Sequence, residues 1–325
     1  DRKLLFGAPG PRKDITDLDG KLVKDISFGK KHYMIIVDGG ELYGWGDNNS
    51  GQLGVDDTNN QNNPTRVALP NVAQVKTGGW HTIALTLAGK CFVWGCGRFG
   101  QLGIGSNDDQ MTPVELKVAD VVFKQVECAA DNSLAVGSDN RAYGWGDNRS
   151  GQLGSARPNE GAEPNCVLRP VQIDLDQDIK SVACTSTRTL FLTFDGEIYW
   201  TGLGTSNHIV PIVLNVRIES IFAIDYSLFD STKKEGIYMA KGANDKMYIW
   251  GDTATEKRND PVATHLSIEE AIRTHSKYLC TPYMFNCNDV YDPASLSSSV
   301  GDRIASLFDS EDKSDIEFRF PAEDK

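Results

Sequence analysis

The chain has 325 residues, 40% of them hydrophobic, which is enough to bury a large core. Formal net charge is −12, and residues 1–31 hold eight Lys or Arg against five Asp, so the remainder stands at −15. That balance argues against a broad nucleic-acid surface, which needs clustered Lys and Arg to neutralise phosphates. No apolar run approaches the roughly 18 residues of a membrane span, and the start lacks a signal-peptide pattern.

The first residue is Asp1 rather than Met, so further sequence is expected ahead of it. Residues 1–20 contain LLFG at 4–7, where a degraded copy of the loop described next would fall, and GAPGP at 7–11 reads as a connecting loop.

From residue 41 the chain repeats itself. ELYGWGDNNSGQLG at 41–54 returns as KCFVWGCGRFGQLG at 90–103 and RAYGWGDNRSGQLG at 141–154. A weaker copy, KMYIWGD, carries Trp250, and in GEIYWTG the same count from the turn glycine places Thr201 where the others have Trp. Positions 45, 94, 145, 201 and 250 are therefore equivalent, and a period near 50 with short β-type runs predicts propeller blades. Ahead of each lies an alternating run such as HTIALT at 81–86, then a tight turn; this reads as a β-hairpin whose second strand carries the tryptophan.

The geometry of blades gives each residue type an expected place. Strands close to the axis are expected to hold Gly and Ala, and each Trp to fill the wider gap between blades. Leu53, Leu102 and Leu153 are expected to plug their loops onto the blade, and Gln52, Gln101 and Gln152 to satisfy loop backbone groups.

The text W-G-x-N-x-x-G-Q-L-G with an upstream G-x-x-H-[ST]-x-A-L resembles the regulator of chromosome condensation repeat, and the resemblance covers roughly residues 1–262. It implies an all-β, seven-bladed propeller, of which about five blades are evident, with earlier blades expected before residue 1. The fourth and fifth copies lack GQLG, Asn132 and Arg188 stand where His32 and His81 stand, and residues 231–245 read as an insertion lengthening the fifth hairpin.

Beyond Pro261-Val262 the pattern changes. Ser267 followed by Glu270 is a capping-box signature ahead of a short helix to about Lys277, and 286–299 reads as a polar linker. Val300, Ile304, Leu307 and Phe308 form one stripe of a second helix, and DIEFRF at 315–320 alternates as a strand. Helix, acidic turn and S-D-I-x-F resemble the entry to a BTB/POZ domain. The domains expected are thus a propeller at 1–265 with an incomplete first blade, a helical segment and linker at 266–299, and the start of a BTB/POZ-like domain at 300–325.

Local motifs point to no chemistry. GCGRFG at 95–100 matches a dinucleotide fingerprint literally but runs into turn-like text with no helix to hold a pyrophosphate. Asn48-Asn49-Ser50 and Asn148-Arg149-Ser150 are formal glycosylation sequons. Seven cysteines without a framework spacing, Cys91, Cys96, Cys280 and Cys287 among them, point to a reducing compartment, cytoplasmic or nuclear. The histidines at 32, 81, 208, 265 and 275 are too scattered for a zinc site. His32 and His81 occupy equivalent repeat positions, which favours a structural hydrogen bond over catalysis. No nucleophile elbow, metalloprotease or P-loop motif occurs.

No catalytic, cofactor-binding or metal-ligating residue is assigned, and the chain is read as a binder rather than an enzyme. The resemblance implies a protein-binding propeller in a BTB-containing adaptor, with self-association and a cullin-type ubiquitin ligase as partners. The alternative it implies is guanine-nucleotide exchange on a Ran-like GTPase; a propeller hydrolase would need carboxylates or His converging on the channel. The unequal segments 55–64, 155–169 and 231–245 are the expected contact surfaces.

Overall fold

The computed structural model describes residues 4–6, 13–14, 18, 21–154, 165–228, 236–252, 257–264 and 316–318. Tight turns between runs of β-formers force neighbours to pair antiparallel. A small sheet joins β1 (Leu4–Phe6) to β2 (Lys13–Asp14) and to β23 (Ile316–Phe318), so Leu4–Phe6 is strand rather than loop and DIEFRF contains the expected strand.

Five four-stranded sheets follow, each with its strands in chain order. The first comprises β3 (Val23–Phe28), β4 (His32–Val37), β5 (Leu42–Gly46) and β6 (Gln61–Arg66). The second comprises β7 (Val72–Thr77), β8 (His81–Thr86), β9 (Cys91–Gly95) and β10 (Gln110–Leu116), and the third β11 (Phe123–Cys128), β12 (Asn132–Gly137), β13 (Ala142–Asp147) and β14 (Cys166–Gln172). The fourth holds β15 (Ile179–Cys184), β16 (Arg188–Thr193), β17 (Ile198–Gly202) and the short β18 (Val210–Ile212). The fifth holds β19 (Ile218–Asp225), β20 (Gly236–Gly242), β21 (Met247–Asp252) and β22 (Lys257–Thr264). The molecule is an all-β propeller.

Register confirms the equivalence read from the repeats. Tyr33 pairs with Trp45, Thr82 with Trp94, Ser133 with Trp145, Thr189 with Thr201 and Tyr238 with Trp250. Blades pack on both faces, so strand side chains are apolar or small on both sides. In β8, Ala84 joins Met34, Ile36 and Trp94 in the core facing the first blade, while Ile83 and Leu85 join the core shared with the third. Each buried indole removes roughly 150–250 Å² from water, an upper estimate of roughly 4–6 kcal/mol.

Two expectations are corrected. The first strands of successive blades pack against one another and so lie innermost, yet beside alanines such as Ala183 and Ala223 they carry polar side chains, long ones among them. Such side chains fit because each bonds across to the neighbouring blade. Lys76 Nζ stands 3.1 Å from Glu127 Oε1 with both side chains buried, Gln125 Nε2 donates to the Val182 carbonyl at 3.0 Å, and the Ser27 and Thr77 hydroxyls meet at 2.8 Å. Small residues also sit in the third strand. A Cβ on Gly144 would lie 2.8 Å from Leu153 Cδ2, so that glycine makes room for the loop's leucine.

The second correction concerns residues 231–245. Gly236–Gly242 is the ordinary second strand, and Ile237 pairs with Gly251 as His32 pairs with Gly46. Its hairpin turn is of normal length. The extra chain lies earlier, between Asp225 and Gly236, where other blades need three residues. The expected helices at 267–277 and 300–308, and the linker between them, lie outside the described residues.

Candidate protein-binding face

Loops joining first to second strands and third to fourth strands share one end of the propeller. In the first and third GQLG loops an asparagine, buried at Asn48 and half-buried at Asn148, sets the curvature. Asn48 Oδ1 accepts the Leu53 amide at 2.9 Å and its Nδ2 donates to the Asp57 carbonyl at 2.8 Å; Asn148 Oδ1 accepts the Leu153 amide at 2.9 Å. Gly97 takes this place in the second blade, and the Asp109 carboxylate accepts its amide at 2.8 Å. Gln52, Gln101 and Gln152 each accept a backbone amide two residues earlier, at 2.8–3.0 Å, as expected. Leu53, Leu102 and Leu153 are fully buried plugs.

Each loop is then bolted to the following blade. Trp94 Nε1 donates to the Gln52 carbonyl at 2.9 Å, and the Thr82 hydroxyl donates to the same oxygen at 2.8 Å. At the next seam Trp145 Nε1 and the Ser133 hydroxyl both donate to the Gln101 carbonyl at 2.9 Å. His32 Nε2 lies 3.2 Å from the Thr82 hydroxyl and His81 Nε2 2.8 Å from the Ser133 hydroxyl. A hydroxyl that gives its proton to a carbonyl can only accept from the imidazole, so Nε2 carries the hydrogen in both. Burial lowers both imidazoles to about 3 and keeps them neutral. These histidines are structural. A Cβ on Gly29 would come within 2.2 Å of His32 Cε1, which explains the glycine of G-x-x-H.

What this end presents to solvent is cations set on rings. Lys30 lies 5.7 Å from the Trp80 ring, Arg98 and Arg149 lie 5.4 and 4.9 Å from Phe99, and Arg188 lies 4.8 Å from Trp200. Such stacking holds long side chains in place and leaves their charge outward. Arg149 also donates twice to Asp147, at 2.8 and 3.1 Å. Toward the axis the charge reverses. Burial, reinforced by Asp147 and Asp225 and opposed by Arg149 and Lys30, pushes Asp131 up to about 6. Asp225 is pinned by the Ser186 amide at 2.7 Å and the Ser227 amide at 3.0 Å.

The expected contact segments are divided between the two ends. Residues 55–60 are loop here, while 243–246 form a hairpin turn at the opposite end. Residues 155–164 and 231–235 lie outside the described residues. The face joins the first-to-second-strand loops, whose equal lengths in the first four blades hid them in the sequence, to Arg98, Phe99 and Arg149 of the GQLG loops; an aromatic beside the repeat histidine, Trp80, was the available signal. Asn48 is fully buried with both ends of its amide bonded, which removes the first sequon from glycosylation. GCGRFG leads into a GQLG loop, with no helix beside it. Carboxylates do approach the channel, yet Glu127 is spent on Lys76 and Asp25 accepts the Ile26 amide at 2.9 Å. Among the described residues no three His, Cys, Asp or Glu gather as a metal site.

Models of the regulator of chromosome condensation (RCC1) repeat match residues 39–85, 88–136 and 139–192, and a second model of the same repeat matches 23–52, 72–101 and 123–152. The ultraviolet-B receptor UVR8 of Arabidopsis thaliana is 30% identical over 203 residues, 61% of this chain and 45% of that protein. The probable E3 ubiquitin-protein ligase HERC6 of Homo sapiens is 29% identical over 256 residues, 69% of this chain and 24% of that protein. The chain thus spans less than half the length of either relative. Human WBSCR16 superposes with a TM-score of 0.64 at 20% identity, covering 80% of this chain and 70% of the other. Prp20p of Saccharomyces cerevisiae superposes at 0.55 and 19% identity, covering 65% and 56%. At that identity the structures speak to the fold alone. No helix among the described residues is long and apolar enough to cross a membrane.

Proposed function

From a chain built as a propeller of regulator of chromosome condensation repeats, we propose a protein–protein interaction scaffold, acting as the substrate-binding propeller of a BTB-containing adaptor for a cullin-type ubiquitin ligase. The carrying observation is the face on which Lys30, Arg98, Arg149 and Arg188 stand on the rings of Trp80, Phe99 and Trp200. Arg and aromatic side chains supply most of the strong contacts at protein interfaces, and pre-stacked ones lose little entropy on binding. The adaptor role rests on residues 300–325, read as the start of a BTB/POZ-like domain, with residence in cytoplasm, nucleus or both. It is a binder, not an enzyme.

The test is reconstitution with the full-length protein. A purified cullin should co-elute with it on size-exclusion chromatography, and cells lacking that cullin should accumulate the protein the propeller captures. Arg98→Ala/Arg149→Ala should abolish capture while leaving cullin association and thermal stability unchanged. Co-elution failing at micromolar concentration overturns the adaptor role.

Guanine-nucleotide exchange on a Ran-like GTPase is the second reading, favoured by the fold shared with Prp20p, whose structure is described with binding to Gsp1p and histones. The extra chain between Asp225 and Gly236 is the segment available as a wedge. Accelerated release of labelled nucleotide, lost when 229–235 are replaced by a short linker, would establish it in place of the adaptor.

A further inference from the structure

The seam between the third and fourth blades breaks the pattern of its neighbours twice. Where the earlier seams use His32 and His81, the third blade supplies Asn132. Where they use Trp94 and Trp145, the fourth supplies Thr201. Both replacements are smaller, and they face the same seam.

The consequences are visible atom by atom. Thr201 Oγ1 turns to the Gly151 carbonyl at 3.1 Å. The apolar part of the lost indole is replaced by Ile209, whose Cγ1 is 3.6 Å from the Cβ position of Gly154; at the earlier seams the indoles of Trp94 and Trp145 cover Gly54 and Gly103. The polar part is not replaced. Asn132 Oδ1, Asn132 Nδ2 and Thr189 Oγ1 are fully buried and have no partner in the protein. Their counterparts at the other two seams are bonded to each other through Nε2, His32 with Thr82 and His81 with Ser133, so that only Nδ1 of each ring lacks a partner in the protein.

We propose that this seam is a sealed hydration site, at which the Asn132 amide and the Thr189 hydroxyl hold at least one long-lived water molecule. An unbonded buried amide costs free energy at each end, and three such atoms at the positions where the other seams pair imidazole with hydroxyl supply the two to four partners that a buried water uses. Asparagine suits this position as histidine does not, because its amide offers a donor and an acceptor side by side on a shorter arm, leaving space for the water that bridges it to the hydroxyl. The other seams reach hydroxyl from imidazole directly, with no room for a bridge.

A crystal structure at a resolution that shows ordered solvent tests this without any substitution. The expected result is a peak at roughly 2.7–3.2 Å from both Thr189 Oγ1 and an Asn132 amide atom. Direct contact between the two side chains, or no density there, overturns the site. Thr189→Val then reads its energetics by urea unfolding. A bridged water deprived of one partner shifts the folding equilibrium about three- to tenfold toward the unfolded chain. An unchanged or more favourable equilibrium means that the hydroxyl was dry and overturns the proposal. Asn132→His, in parallel, should remove the peak and restore the imidazole–hydroxyl bond of the other seams.

Discussion

Trp94 Nε1 donates to the Gln52 carbonyl at 2.9 Å, from the second blade to a loop of the first. The indole does two jobs here, filling the seam and satisfying a buried carbonyl. Trp94→Ala should cost on the order of 3–5 kcal/mol. Trp94→Phe keeps most of the volume and should lose nearer 1–2 kcal/mol, the share of the bond. Urea midpoints of both variants give the division, and Trp94→Ala within error of wild type would show the seam does not depend on it.

Restoring the repeat tryptophan at the fourth blade should destabilise the protein. Ile209 already lies against Gly154, where an indole would have to go, and Thr201→Trp forces it out at a cost of about 1–3 kcal/mol. Adding Ile209→Ala to Thr201→Trp should recover part of that loss. Thermal melts of the single and double variants decide whether the two side chains compete for one space.

Lys76 and Glu127 form a buried ion pair between innermost strands. Burial raises the Glu127 carboxyl, with Lys76 opposing the shift, so removing the cation strands a buried charge. Lys76→Met should cost about 3–5 kcal/mol, whereas Lys76→Met/Glu127→Leu should return close to wild type. A double-mutant cycle on unfolding free energies measures the difference. Equal costs for the single and the double variants would mean that packing, not charge, is at stake.

Acid should open the first two seams. An imidazole held at about 3 when folded and near 6.5 when unfolded takes up its proton only in the unfolded chain over that window. Stability is therefore full above pH 6.5 and falls as pH drops toward 3, by about 2 kcal/mol per histidine at pH 5. His32→Asn and His81→Asn should each flatten the profile of unfolding free energy between pH 7 and 5. A slope unchanged by both substitutions would place the acid sensitivity elsewhere.

The architecture was legible because its signals are local and repeated: Trp45, Trp94 and Trp145 announce equivalent places, and counting from a turn glycine found Thr201 without its tryptophan. The binding face was harder. Lys30 and Trp80 lie in loops of constant length, and only packing of one blade on the next brings them together. Residues 231–245 look like an insertion because the extra chain runs straight into the second strand; only the spacing from Ile237 to Trp250, the same as from His32 to Trp45, marks Gly236–Gly242 as a strand in register. The polar innermost strands escaped for another reason. Their hydrogen bonds run between blades, as from Gln125 to Val182, and sequence periodicity within a strand carries no trace of them.

The bolt from loop to following blade also has a direction in time. As the chain leaves the ribosome, the Gln52 carbonyl must wait for Thr82, 30 residues later, and for Trp94, 42 residues later, before its partners exist. Gln101 waits in the same way for Ser133 and Trp145. Every blade is thus synthesised before it can be closed, and the nascent propeller carries one unfinished edge that moves forward with translation.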